Sequence, residues 1–207
     1  MKVNILIKEI TEKFKQPLPG ITAHLELAPY RKAYSKNIKY DNPTMASTLL
    51  LLYPYSNSIN FCLTQRNKYN GPHSNQISFP GGKKEGNESL ETTALRETEE
   101  EIGIKQYKIE ILGKLTNVYV PPSNMLIHPY VGYLNELPKF KINEREVKKL
   151  ININFTELLK KDIIQKKQMK LGDKKQEVEV PYLAIKNQIV WGATSVILNE
   201  FRRMLQL

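Results

Sequence analysis

The chain has 207 residues, of which 41% are hydrophobic and 25% are charged, a balance typical of a folded protein rather than a disordered one. No apolar run approaches the ~20 residues that a membrane-spanning helix needs, and the charged start lacks the small-residue cleavage site of a secretory signal. The net charge of +10 favours an anionic partner (nucleic acid, an acidic lipid surface or a phosphorylated metabolite) without choosing among them. We therefore expect a cytoplasmic protein with a sizeable core and no membrane partner.

The first predicted element is an amphipathic helix, because Leu6, Ile10 and Phe14 recur at intervals of four residues. An irregular segment that contains several Pro and Tyr residues follows to about residue 43. We therefore divide the chain into an N-terminal extension, residues 1–43, packed on a domain of residues 44–207. Whether the extension forms a homodimer contact or a lid stays open.

Strands are predicted next at Thr48–Tyr53 and Asn60–Arg66, because both runs are rich in apolar residues and a turn-rich segment joins them. A long loop, residues 67–76, then leads to the sharp break at Pro80-Gly81-Gly82. A helical pattern runs from about Ser89 to Ile102. Asn87 or Ser89 can cap its start, and Gly103 suits its C-terminal end.

The rest of the chain is predicted to return to strands and to end in a helix. In chain order these elements are strands at Ile109–Tyr119, His128–Leu134 and Val147–Phe155, a short helix at Glu157–Lys161 capped by Thr156, a hairpin of Glu177–Ile185 with Gln188–Trp191, and a helix at Ser195–Leu205. The lysine-rich stretch from Lys160 to Lys175 is interpreted as a solvated loop. It has neither the aromatics nor the arginines expected of a nucleic-acid-binding strip, so we expect no nucleic-acid partner. Strands with two substantial helices between and after them favour an α/β fold, a mixed sheet between helices.

The central helix carries four glutamates within five positions, and Glu97, Glu100 and Glu101 share one face because they lie three and four residues apart. Like charges at these spacings repel by roughly 0.2–0.5 kcal/mol a pair, and the C-terminal end of a helix prefers cations. A hard divalent cation would offset this cost. An isolated run of this kind is more simply a solvated acidic face. Here the upstream Gly81-Gly82 favours the metal site, because glycines let the backbone approach the same metal and phosphates.

Arg96 and Glu88 could pair across the start of this helix and brace the glycine loop, or they could form an ordinary surface salt bridge of little energetic value. The full pattern is Gly82-x5-Glu88-x7-Arg96-Glu97-Thr98-x-Glu100-Glu101-x-Gly103-Ile104. It resembles the signature of the Nudix hydrolases, with Thr98 where that family usually has an aliphatic residue.

The resemblance implies a Nudix-type α/β/α sandwich with a mixed sheet and a loop–helix–loop metal site. It also implies hydrolysis of a nucleoside diphosphate joined to another group, with Mg²⁺ or Mn²⁺ as cofactor. The implied metal ligands are Glu97, Glu100, Glu101 and the carbonyl of Gly81. Arg96 would orient Glu97. The base that takes the proton of the attacking water varies in this superfamily: it is Glu97 or an external glutamate, for which Glu146 is the candidate.

Segments outside the signature resemble the coenzyme A pyrophosphatase branch of the family. They are Leu63–Arg66, His73–Gly82, Ser123–Pro129 and Val190–Thr194, with Asn75 where that branch usually has glycine. The likeness implies cleavage of coenzyme A or its derivatives to 3′,5′-ADP and 4′-phosphopantetheine.

Within those segments, Arg66 and His73 are candidates for contacts with the phosphates or the pantetheine side of the substrate. The alternatives are a surface arginine and a histidine that orders the loop. Two other functions stay open: a Nudix hydrolase of another diphosphate, such as ADP-ribose or a nucleotide sugar, and a non-catalytic regulator that binds a nucleotide or RNA.

Overall fold

The computed structural model describes residues 2–29, 41–67, 75–171 and 176–206. The helices in these ranges are α1 (Lys2–Lys13), α2 (Ile21–Leu27), α3 (Leu90–Ile102), α4 (Phe155–Leu158) and α5 (Gly192–Gln206). The strands are β1 (Thr44–Tyr55), β2 (Ser58–Arg66), β3 (Ile77–Ser78), β4 (Gly81–Lys83), β5 (Ile109–Lys114), β6 (Val118–Val120), β7 (Met125–Leu134), β8 (Val147–Asn154), β9 (Ile164–Leu171), β10 (Gln176–Ile185) and β11 (Gln188–Val190).

The main sheet is mixed, and its strand order is β3-β2-β1-β7-β5, with β4 paired to β1, β6 to β7 and β8 to β2. Strands β1 and β7 run parallel, in register from Thr44 opposite Met125 to Leu52 opposite Tyr133, while the other pairs are antiparallel. The run Leu49–Leu52 in β1 is buried throughout, as expected of a central strand covered on both faces.

Helices cover both faces of this sheet. On one face Ile10, Leu27 and Phe201, from α1, α2 and α5, share a core with the sheet. On the other face Ala94 and Ile102 of α3 pack in a second core. The prediction of an α/β fold with a mixed sheet between helices is therefore confirmed. Among the described residues, no helix combines the length and the apolarity needed to cross a bilayer.

The N-terminal segment differs from the prediction, because α2 lies where an irregular chain was expected. The helix has seven residues and no side-chain cap at Gly20, so the local sequence does little to indicate it. It is held by tertiary contacts instead: His24 is buried, and its Nε2 lies 2.9 Å from Oε2 of Glu200 on α5.

Three later elements also differ. The predicted strand Ile109–Tyr119 is two strands, β5 and β6, between which the backbone N–H of Leu115 donates to the carbonyl of Pro129. The lysine-rich stretch contains β9, which pairs with β10, because its polar side chains can face solvent while the backbone is satisfied by its neighbour. Asn154, not Thr156, caps the short helix α4, accepting a hydrogen bond from the Thr156 backbone N–H at 2.9 Å.

Candidate active site

Helix α3 begins and ends where its sequence signals place it. The hydroxyl of Ser89 accepts from the backbone N–H of Thr92 at 3.0 Å, and Gly103 closes the helix in the left-handed conformation at φ 77°. Ala94, Thr98 and Ile102 are buried. The helix therefore lies against the sheet on its apolar face and presents Glu97 toward β4 and Glu101 toward the end of β2.

Arg96 braces the start of this helix through Glu88. Its Nε donates to Glu88 Oε2 at 3.1 Å and its Nη2 donates to Oε1 at 2.9 Å, a two-point contact. The same Nη2 donates to the carbonyl of Lys83 in β4, at 3.1 Å. The hydrogen bonds from Arg96 lower the pKa of Glu88 to about 2. Arg96 thus joins β4 to α3, so its contacts fit a brace of the glycine loop better than an isolated surface salt bridge.

The remaining guanidinium nitrogen of Arg96 lies between two of the predicted metal ligands. Nη1 donates to Glu97 Oε1 at 3.0 Å and to Glu100 Oε2 at 2.9 Å. The Glu97 side chain is 13% exposed and that of Glu100 is 52% exposed. Burial raises the pKa of Glu97. Arg96 therefore offsets the like-charge repulsion that the sequence predicted on this face.

Glu101 is the most buried acid of the group, with its side chain only 3% exposed. Nη1 of Arg66, at the end of β2, lies 3.8 Å from its Oε1. Its Oε2 is buried and makes no hydrogen bond. Burial raises the pKa of Glu101, against the opposing effect of the Arg66 charge.

Gly81 is required at the turn that faces these acids, and Gly82 lies directly against Glu97. A Cβ at Gly81 would overlap the backbone of β1 at Ser47 and Thr48, and a Cβ at Gly82 would overlap the carboxylate of Glu97. A hydrogen-bonding interaction of the Gly81 backbone N–H with the Glu101 carboxylate lowers the pKa of Glu101, against the effect of burial. The backbone of β4 therefore lies directly against two predicted ligands. The ligand role of the Gly81 carbonyl stays a prediction.

Glu146, the external candidate for the base, lies at the start of β8 beside the same acids. Its carboxylate accepts from the Asn143 amide at 3.0 Å, and its carbonyl accepts from the backbone N–H of Asn67 at 3.0 Å. The Glu146 charge raises the pKa of both Glu97 and Glu101, so it lies within electrostatic reach of them. Glu146 is exposed, which leaves it accessible to a water molecule.

The loop before β3 is described only in part. His73, the second candidate for substrate contacts, lies outside the described residues. Asn75 adopts φ 59°, a left-handed conformation that asparagine tolerates better than most residues, and its side chain accepts from the Gln65 amide at 2.9 Å. Asparagine therefore fits where the coenzyme A branch usually has glycine.

Sequence reasoning missed two contacts that shape this site. One is the pairing of Arg66 with Glu101, since no sequence spacing relates β2 to α3. The other is the hydroxyl of Thr93, which donates to Glu88 Oε1 at 2.9 Å and helps to fix the acid that Arg96 holds. Its position in the first turns of α3, close to the capping Ser89, was the signal available.

The group is chemically suited to a hard divalent cation, because its donors are carboxylate and backbone oxygens and Glu101 Oε2 is buried without a partner. In this structure the acids contact arginines instead. Across residues 2–29, 41–67, 75–171 and 176–206, no three His, Cys, Asp or Glu side chains converge tightly enough to hold a metal. Ligation would therefore require Glu97 and Glu100 to turn away from Arg96, and Arg66 and Glu101 to separate.

Comparisons with known proteins agree on one family. The sequence model of the NUDIX domain matches residues 44–172. The chain is 31% identical to "Nudix hydrolase 3" of Caenorhabditis elegans over 80% of its length and 75% of that protein. It is 30% identical to the "Uncharacterized Nudix hydrolase NudL" of Yersinia enterocolitica, over 70% of this chain and 73% of that protein.

Solved structures show the same fold. A MutT/nudix family protein from Enterococcus faecalis superposes with a TM-score of 0.55 at 23% identity, covering 87% of this chain and 70% of that one. A MutT protein from Methanosarcina mazei superposes with a TM-score of 0.51 at 16% identity, covering 80% of this chain and 96% of that one.

Proposed function

The chain belongs to the Nudix hydrolase family, whose members act on phosphoanhydride bonds, and we propose on that premise that it is a coenzyme A diphosphatase. It would use Mg²⁺ or Mn²⁺ to cleave the diphosphate of coenzyme A or its derivatives. Water adds at one phosphorus and the bridging P–O bond breaks, which yields 3′,5′-ADP and 4′-phosphopantetheine.

One observation carries the choice of substrate. Arg66 belongs to the segment before the signature that resembles the coenzyme A branch, and Glu101 belongs to the signature itself. The two side chains lie 3.8 Å apart in this structure. A residue of the branch-specific segment therefore lies at the acids where the phosphates would react, and a guanidinium there is suited to bind a phosphate.

The acids take separate roles in this proposal. Glu97, Glu100 and Glu101, with the Gly81 carbonyl, would hold the cation. A cation held there would supply charge neutralisation for the diphosphate and would lower the pKa of the attacking water. Arg96 keeps α3 and β4 in fixed relation through Glu88 and the Lys83 carbonyl. Glu146 accepts the proton of the water, with Glu97 as the alternative base.

The overall charge is compatible with this substrate. Coenzyme A carries a 3′-phosphate in addition to its diphosphate, and a chain of net charge +10 attracts such an anion over several ångströms. The local acids then require a cation before the diphosphate can approach. Activity should therefore depend on the divalent ion even for a substrate that the protein surface attracts.

A substrate panel tests the proposal. Coenzyme A, its disulfide, acetyl-coenzyme A, ADP-ribose and a nucleotide sugar are incubated with the protein and either Mg²⁺ or Mn²⁺, and the products are resolved by chromatography. We expect 3′,5′-ADP to form from the coenzyme A compounds with the highest kcat/KM. Preference for ADP-ribose would contradict the choice of substrate while leaving the diphosphatase reaction in place. Metal-independent RNA binding without any hydrolysis would contradict both.

A further inference from the structure

Arg66 and Glu101 form a loose pair in which both partners have unused hydrogen-bonding capacity. Their closest atoms, Nη1 and Oε1, are 3.8 Å apart, which is beyond hydrogen-bond length. Oε2 of Glu101 and Nε of Arg66 are both buried, and neither has a hydrogen-bond partner. Buried polar atoms without partners cost free energy, so a state of the site that satisfies them is favoured.

The backbone directs Arg66 toward the acid but leaves its tip able to move. The pairing of β2 with β8 shifts register between Gln65 and Arg66, an irregularity that redirects a side chain. The Arg66 backbone N–H donates to the carbonyl of Gln76 at 3.0 Å, so the main chain is fixed. The side chain is 32% exposed, against 3% for Glu101. Arg66 can therefore swing into solvent, whereas Glu101 cannot.

The other arginine of the site differs in this respect. Arg96 donates hydrogen bonds to Glu88, Glu97 and Glu100 and to the Lys83 carbonyl. Displacing Arg96 would break its hydrogen bonds to three acids and to β4. The Arg66 side chain makes no hydrogen bond to Glu101 that its displacement would break. Of the two guanidiniums, Arg66 is the one that the geometry leaves free to exchange.

We propose that Arg66 is a positioning residue that balances the charge of Glu101 before a metal ion binds and withdraws from it when the metal ion arrives. The inference rests on the proposed function, because it takes Glu101 as a metal ligand. Two cations cannot share one small carboxylate without strong repulsion in a site of low dielectric constant. Arg66 and the metal ion therefore compete for Glu101. Arg66, once released, is free to contact a phosphate of the substrate.

The test measures the affinity for Mg²⁺ by isothermal titration calorimetry, without substrate, in the wild type and in Arg66→Gln. If Arg66 competes with the metal ion, removing it makes Mg²⁺ binding about tenfold tighter, within the range typical of coupled sites. By linkage, the same variant loses thermal stability in metal-free buffer and recovers wild-type stability at saturating Mg²⁺. Arg66→Lys, which keeps the positive charge, should restore most of the competition.

Arg145→Gln is the matched control, because it removes the same charge from an exposed position next to Glu146. Long-range electrostatics alone would tighten Mg²⁺ binding equally in both variants, and that result would overturn the proposal. Unchanged or weaker Mg²⁺ binding in Arg66→Gln would also overturn it while leaving the proposed function intact. Failure of the wild type to bind Mg²⁺ or Mn²⁺ at all would overturn the proposed metal site and this inference together.

Discussion

Glu97 and Glu99 lie two positions apart on α3 but have different surroundings. Glu97 is held by Arg96 beside the glycine turn, while Glu99 accepts from Lys105 Nζ at 2.8 Å and from the Gln106 backbone N–H at 3.0 Å. Lys105 and Gln106 lie beyond the end of the helix, in the direction of β5. The two acids therefore form a matched pair of positions, one in the candidate site and one outside it.

We predict that Glu97→Gln lowers kcat by about 10²–10³-fold, because it removes a charge aimed at the reacting centre. The fold should survive, since burial already disfavours the Glu97 carboxylate and raises its pKa. Steady-state kinetics and thermal unfolding measure the two effects. Glu99→Gln serves as the control and should keep kcat within about twofold. A Glu97→Gln protein with a normal rate would refute the assigned site.

His128 gives a pH dependence that is independent of the active site. Both of its ring nitrogens are buried without hydrogen-bond partners, and burial, with the nearby Lys114 charge, lowers its pKa from 6.5 to about 4. In the unfolded state His128 therefore becomes protonated below about pH 6.5, whereas in the folded state it becomes protonated only near pH 4. The contribution of His128 to the unfolding free energy is therefore fully present above pH 6.5 and is lost as the pH falls toward 4.

We therefore predict that the wild type loses about 1–2 kcal/mol more unfolding free energy than His128→Leu does between pH 7 and pH 5. Urea unfolding at the two pH values measures the difference. Parallel losses in the two proteins would show that another group carries the acid sensitivity.

At the level of the elements, two glycines with positive φ differ in how closely other atoms surround them. Comparing their substitutions separates the cost of the left-handed backbone from the cost of steric overlap. Gly103 closes α3 at φ 77°, and a Cβ there would lie 2.8 Å from the carbonyl oxygen of Lys141. Gly86, in the loop before α3, has φ 47° with no atom within 4 Å of an added Cβ. Both require a left-handed residue, but only Gly103 is also confined by neighbouring backbone.

We predict that Gly103→Ala lowers the unfolding free energy by about 2–4 kcal/mol, whereas Gly86→Ala costs about 1 kcal/mol. At Gly103 the alanine side chain overlaps the Lys141 backbone and must also adopt the left-handed conformation. At Gly86 only the left-handed conformation costs free energy. Chemical denaturation of both variants provides the comparison. Equal losses of unfolding free energy would mean that the backbone around Lys141 moves aside without a free-energy cost.

Local signals predicted the elements that depend on local chemistry. Ser89 was one of two candidates for the start of α3 and Gly103 marked its end, while the brace between Glu88 and Arg96 was one of two interpretations of their spacing. The elements that were missed depend on distant partners. Helix α2 relies on α5, and β9 relies on its pairing with β10. The contact between Arg66 and Glu101 could not be predicted, because the mutual position of β2 and α3 follows from the sheet as a whole.

At the level of the whole molecule, one buried acid connects both ends of the chain. Glu200 on α5 is fully buried, lies 2.9 Å from the His24 ring, and accepts hydrogen bonds from the Thr116 hydroxyl and the backbone N–H groups of Thr116 and Gly20. Gly20 and His24 of the N-terminal extension are therefore fixed to the C-terminal helix and to the segment between β5 and β6.

We predict that Glu200→Gln lowers the unfolding free energy by about 3 kcal/mol, because it removes one partner of a buried, hydrogen-bonded pair. Glu26 is the control: it lies between the same two helices but is partly exposed, 3.3 Å from Arg203 Nε. Glu26→Gln should cost less than about 1 kcal/mol. If both variants were equally stable, the buried network would not be what anchors the extension.

The parallel pairing of β1 with β7 has a consequence for the order in which the protein is assembled. Thr44 pairs with Met125, so the two central strands cannot join until β2 to β6 and α3 have been synthesised and looped out. Closing such a loop costs chain entropy before any contact repays it. On the ribosome, Leu49–Leu52 therefore leaves the exit tunnel long before β7, its parallel partner, has been synthesised. Until then the apolar side chains of this leucine run lack the β7 edge that they pack beside in the folded protein.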